Sequence, residues 1–136
     1  MREIIFRGKR IDNGELVYGD LTQDRDLETA YIQGHDYYTD DCGPQREPFC
    51  CEVDPETVGQ YTGVKDCKGK RIFEGDVLRG YNTYDFKVYI EYGHAVIKWE
   101  DSGEKLTECL EADYIKDNDV EIIGNIHDNP ELLEVK

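Results

Sequence analysis

Apolar and polar residues alternate most clearly in the second half of the chain. Phe86, Val88, Ile90 and Tyr92 share one parity, with Lys87, Tyr89 and Glu91 on the other. That period of two is what a half-buried strand requires. Gly93-His94 predicts a turn, after which Ala95, Ile97 and Trp99 alternate with Val96 and Lys98. Asp101-Ser102-Gly103 predicts the next turn, and 105–110 a returning strand. Short strands divided by Gly and Asp turns point to a small barrel or roll rather than a sandwich.

The first twenty residues predict two strands around Asp12-Asn13-Gly14. Ile4 and Phe6 alternate with charged neighbours before the turn, and Leu16 and Tyr18 share a face after it. Asn-Gly accepts the positive φ angles of a type I′ turn at little cost, which makes this the strongest hairpin signal in the chain. Residues 21–52 give less. Ala30-Tyr31-Ile32 reads as a strand, whereas 35–48, HDYYTDDCGPQREP, is polar and turn-rich with no period. A long exposed loop is expected there, followed by a short strand over 49–53. At the other end, 120–126 predicts a strand, and Asn129-Pro130 opens a short C-terminal helix, with Asn129 as N-cap and Pro130 at its first position. Leu132 and Leu133 would dock that helix on a sheet.

Between these parts lies 53–78, VDPETVGQYTGVKDCKGKRIFEGDVL, which reads as a connector, two tight turns and a strand beginning at Val77. Gly59, Gly63, Gly69 and Gly75 suit turns, and Ile72, Phe73 and Val77 are expected in the core. The domain division expected from this is 1–60, a β-rich region, and 61–136, a barrel region.

Composition narrows the class. The 136 residues fit one compact domain or two very small ones, and 13 Gly with 10 Tyr favour strands and turns. With 31 acids against 16 bases the net charge is -15, which disfavours binding to phosphate backbones and suits a basic partner. No segment approaches the roughly 20 apolar residues needed to cross a bilayer as a helix. MREIIFRGKR has no apolar core of a signal peptide, so no membrane association and a cytoplasmic location are expected.

Candidate chemistry is sparse. Cys42, Cys50, Cys51, Cys67 and Cys109 are odd in number and lack zinc-knuckle spacing. Cys50 and Cys51, adjacent on a strand, would point to opposite faces, so reduced structural thiols are expected. His35, His94 and His127 stand far apart, with no ligand pattern around them. Residues 100–121 hold nine acids against two lysines, the composition of a solvated face. Asp117-Asn118-Asp119 precedes apolar Val120 rather than the glycine of a calcium loop. Glu74 and Asp76 flank Gly75, where their side chains would bind nearby backbone amides. No catalytic, cofactor-binding or metal-binding residue is assigned. The Tyr set (Tyr37, Tyr38, Tyr81, Tyr84, Tyr89 and Tyr92) suits either an interface or a sheet covering, with Tyr89 expected outside the core.

Three separated segments, REIIFRGKRIDNGELVYGDL (2–21), VDPETVGQYTGVKDCKGKRIFEGDVLRG (53–80) and VEIIGNIHDNPELL (120–133), together resemble the YopX family of phage and prophage proteins. The resemblance implies an SH3-like barrel in the later part of the chain and assembly into a homo-oligomer. It brings no catalytic residue with it. The expectation is a mainly β protein, with N-terminal strands, a small SH3-like barrel and a short C-terminal helix. It would act without enzymatic activity or cofactor, as an accessory protein in the cytoplasm of the host bacterium. It would contact itself and a host or phage protein. Two rivals remain. One is a nucleic-acid role, through Arg2, Arg7, Lys9 and Arg10 or through acidic mimicry of DNA. The other is an enzyme built on Glu74, Asp76 and His127, which nothing in the sequence brings together.

Overall fold

A computed structural model describes residues 4–80, 85–91 and 94–127. Among the described residues the protein is mainly β, in antiparallel sheets with one short helix, and it divides into two compact units, Ile4–Gly59 and the residues from Gln60 onward.

The first unit is a meander of β1 (Phe6–Lys9), β2 (Leu16–Asp24), β3 (Thr29–Asp40) and β4 (Gly43–Val53), in the order β4-β3-β2-β1. β1 and β2 do form the expected hairpin, from Lys9↔Leu16 to Phe6↔Gly19. Its turn is longer than type I′. Gly14 donates to the Arg10 carbonyl at 3.0 Å, Arg10 donates to the Glu15 carbonyl at 2.8 Å, and the Asn13 side chain accepts the Glu15 amide. Gly14 has φ +74°, while Asn13 is not left-handed. The core side of β2 is the face opposite the one Leu16 and Tyr18 share. Val17 and Leu21 pack on the core, and Tyr18 is exposed.

The sheet curls until its ends meet. Arg10 bridges Val53, Asp54 donates to the Lys9 carbonyl at 2.9 Å, and Ile11 donates to the Glu52 carbonyl at 3.2 Å. Inside the curl sit Ala30, Ile32 and Val53, ringed by Phe6, Val17, Leu21, Phe49 and Val58. Asp54-Pro55 then opens a single 3₁₀ turn, Pro55–Thr57. Asp54 caps it by accepting the Glu56 amide at 3.0 Å, and Thr57 Oγ1 ties it back by accepting the Lys9 amide at 2.9 Å.

The second unit holds β5 (Gly59–Lys65) paired with β6 (Arg71–Phe73), and a five-stranded sheet. The sheet contains β7 (Asp76–Arg79), β8 (Phe86–Glu91), β9 (His94–Asp101), β10 (Glu104–Cys109) and β11 (Glu121–Asn125), in the order β10-β9-β8-β7-β11. Among the described residues no ladder joins β10 to β11, so this sheet is open and the expected closed barrel is not formed by it. The period-two reading holds over β8, while in β9 Val96, expected on the face opposite Ile97, is buried beside it. Phe86, Val88 and Ile97 are core residues, with Ala95 and Trp99 packed against them. The type I′ geometry predicted near the N-terminus is found instead between β9 and β10, where both loop residues are left-handed (Ser102 φ +53°, Gly103 φ +86°).

α1 (Ala112–Asp117) crosses the acidic stretch that sequence reading took for a solvated face. Its inward residue, Ile115, joins Leu110, Val120, Ile72 and Leu78 in the core, and Tyr114 stands edge-on to Phe86 at 5.9 Å. The expected helix at Asn129-Pro130, with Leu132 and Leu133, lies outside the described residues, as do Tyr81, Tyr84, Tyr92 and Gly93.

One carboxylate pins the turn between β5 and β6 to β11. Asp66, buried, accepts the amides of Lys68 and Lys70 on Oδ1, both at 2.9 Å, and the amide of Ile122 on Oδ2 at 3.1 Å. Cys67 adds a backbone bond to the Val120 carbonyl at 2.9 Å.

Candidate functional site

The segment expected as a long loop is the outer part of a two-stranded ribbon. β3 and β4 pair without interruption from Ala30↔Val53 to Asp40↔Gly43, leaving Asp41 and Cys42 as the loop, where Asp40 accepts the Cys42 amide at 2.8 Å. Only the base of this ribbon is buried. From His35 outward, both faces reach solvent, and Tyr37 is 76% exposed.

Register and proline chemistry define the ribbon further. Pro44 pairs with Thr39, and Pro48 with His35. A proline has no amide hydrogen, so these are non-hydrogen-bonded pairs, and even-numbered residues of β4 turn their backbone groups to the outer edge. Glu52 obeys the same parity, since its carbonyl accepts from Ile11 across that edge. The two prolines therefore delete donors at outward-facing positions and blunt β4 as a template for a further strand.

Because side chains of paired residues share a face, the two faces can be read off. One carries His35, Tyr37 and Thr39 opposite Pro48, Arg46 and Pro44. The other carries Asp36, Tyr38 and Asp40, with Glu47 directly opposite Asp36 and Gln45 opposite Tyr38. The first face lacks carboxylates along this stretch and is rich in the residue types that anchor protein contacts. The second sets two like charges across from each other, an unfavourable cross-strand pair. Among the described residues Arg46 has no ion-pair partner, and neither do Asp36 and Glu47.

The other candidates fall elsewhere. β11 and β7 set Asn125 opposite Asp76, and the Ile126 amide donates to the Gly75 carbonyl at 2.8 Å. Glu74, Asp76 and His127, unconnected in sequence, thus come to one end of a ladder. Asp76 is 1% exposed and accepts the Phe73 amide at 2.8 Å, which is the turn-holding role expected of it. His127, exposed, donates its amide to Asn125 Oδ1 at 2.9 Å. The basic cluster near the N-terminus is dispersed. Arg7 is buried, and Arg10 makes a two-pronged contact with Asp12 at 2.9 and 2.6 Å. That guanidinium hydrogen bond holds the Asp12 carboxyl below the usual carboxylate range. Arg2 lies outside the described residues.

All five cysteines are free thiols; Cys50 and Cys51 are consecutive on β4 and so face opposite ways. Among the described residues no group of three His, Cys, Asp or Glu is placed to hold a metal ion. Tyr89 is half-buried under the Lys98 ammonium, 5.2 Å from its ring centroid. Burial, helped by the charge of Glu108, pushes the Tyr114 phenol up. The ribbon was missed from sequence because its only signal is the register of Pro44 and Pro48, which becomes visible once the pairing is known.

What fold and surface define is an acidic antiparallel β protein carrying a solvated ribbon. The sequence matches the family model YopX, described as YopX protein, over residues 5–134, and the chain belongs to that family. Among solved structures it is similar to the crystal structure of protein EF1440 from Enterococcus faecalis. The two share 24% identity at a TM-score of 0.53, and the match covers 98% of this chain and 100% of that one. At that identity the likeness speaks for the fold alone. No curated protein matches the chain.

Proposed function

We propose that this protein is a non-enzymatic interaction module that self-associates and serves as a phage or prophage accessory protein in the cytoplasm of the host bacterium. The supporting observation is the β3–β4 ribbon, which extends beyond its buried base with both faces in solvent and with Tyr37, Tyr38 and Arg46 on them. Ordering such a ribbon costs conformational entropy that its own packing does not offset, and a partner surface would supply the missing burial. Sedimentation of the purified protein tests self-association. Retrieval of the tagged chain from lysogenic cells, with mass spectrometry of what accompanies it, tests for a second partner. A chain that stays monomeric and recovers nothing above an untagged control would overturn the reading.

The net charge of -15 supports a second reading, acidic mimicry of DNA toward a basic host protein. Its mark would be a recovered DNA-binding protein that free DNA displaces. Direct nucleic-acid binding through the N-terminal bases is disfavoured, since Arg7 is buried and Arg10 is occupied by Asp12.

A further inference from the structure

We infer that the two faces of the β3–β4 ribbon are complementary halves of one self-interface: the Tyr37/Arg46 face of one copy seats on the Asp36/Glu47 face of the next. This inference rests on the self-association proposed above and specifies its geometry. The occupant is a second copy of this chain, and charge complementarity selects it. Arg46 stands beside Tyr37 with no carboxylate opposite it, while Asp36 and Glu47 face each other across the same ribbon with no cation between them. A guanidinium placed over Asp36 and Glu47 would relieve that like-charge pair. Strand alternation puts the two patches on opposite faces at neighbouring register positions. Ribbons stacked about 10 Å apart bring one patch directly against the other.

The β4 edge of the ribbon is closed to one alternative mode of association. Pro44 and Pro48 remove backbone donors from the outward positions of β4, which opposes association by adding a strand at that edge. Association through the β4 edge is thereby disfavoured, which leaves the two faces and the β3 edge beyond Gln33. The overall charge of -15 on each copy does not decide the contact, because charges farther apart than about 8 Å are screened at physiological salt. A contact between two different faces is heterologous, so copies add head to tail, closing into a ring or extending as a filament.

A charge-exchange experiment tests this. Arg46→Glu makes both faces acidic, and Asp36→Lys with Glu47→Lys makes both basic. All three positions are exposed, so each variant should melt with the wild type. Sedimentation velocity should show an assembly for the wild type, monomer for each variant alone, and restored assembly when the two variants are mixed in equal amounts. If the wild type assembles and Arg46→Glu assembles equally, the ribbon faces are not the contact, although self-association stands. If each variant dissociates but the mixture stays monomeric, the face-to-face pairing is wrong. A monomeric wild type overturns this inference together with the self-association it rests on.

Discussion

Removing the Asp66 carboxylate should uncouple the turn between β5 and β6 from β11. The side chain accepts three amides, from Lys68, Lys70 and Ile122, at 2.9, 2.9 and 3.1 Å. A hydrogen bond to a charged group contributes about 1.5–3 kcal/mol, so simple addition would overstate the loss. Lys68 and Lys70 are exposed, and water replaces much of what their amides lose. The Ile122 amide lies on a half-buried strand and is not so easily rehydrated. Asp66→Ala is therefore expected to cost about 2–4 kcal/mol, most of it at Ile122. Asp66→Asn keeps one acceptor but turns an NH2 donor toward an amide donor, so it should recover only part of that loss. Urea unfolding gives the change in stability, and hydrogen exchange at Ile122 gives its location. An Asp66→Ala variant within about 0.5 kcal/mol of wild type, the range of ordinary surface substitutions, would refute the reasoning. So would unchanged protection at Ile122.

Other substitutions test the packing and charge arguments. Phe73→Ala, at a site only 3% exposed against Tyr61, should cost about 3–5 kcal/mol, read from the same unfolding curves. Gly19→Ala would place a Cβ 2.3 Å from the Gln33 carbonyl oxygen, so the backbones of β2 and β3 must part, at about 1–3 kcal/mol. Glu28 holds φ +54° in the turn between β2 and β3, and Glu28→Gly should stabilise the protein by about 1 kcal/mol by relieving it. Asp12 should titrate below the ordinary carboxylate value in a carbon-detected NMR titration, and Arg10→Ala should raise it toward that value. Because the folded-state value is the lower one, this pair's contribution is present above the unfolded-state pKa and fades as pH falls through the folded-state pKa.

What was legible in the sequence follows how each segment meets solvent. β8 buries one face, so Phe86 and Val88 carry a clean period of two, and in β9 Ile97 and Trp99 keep that parity although Val96 is buried as well. The outer ribbon buries neither face, so 35–48 shows no period and reads as a loop, although its pairing is unbroken. β5 fails for the opposite reason: consecutive Tyr61 and Thr62 are both buried, which erases the alternation. α1 is too short for a helical repeat, and its acids conceal one inward residue, Ile115. At the N-terminal hairpin the Asn-Gly pair was read correctly as a turn, but the chain closes back on Arg10 and needs only Gly14 left-handed. Asp66 had no sequence signal apart from a carboxylate before Lys68-Gly69-Lys70. Its third partner, Ile122, is brought to it only by the sheet.

The ribbon's role as the interaction element is tested most directly by shortening it. Residues 37–46 would be replaced by Asn-Gly, closing the ribbon on the Asp36↔Glu47 pair, where the proline register places a hydrogen-bonded rung that a two-residue turn can join. The core at Ala30, Ile32 and Val53 lies at the base and is left untouched. The shortened chain should melt with the full-length protein and sediment as a monomer under conditions where the full-length protein assembles. A shortened chain that still assembles to the same size would contradict the assignment of the interaction to the ribbon.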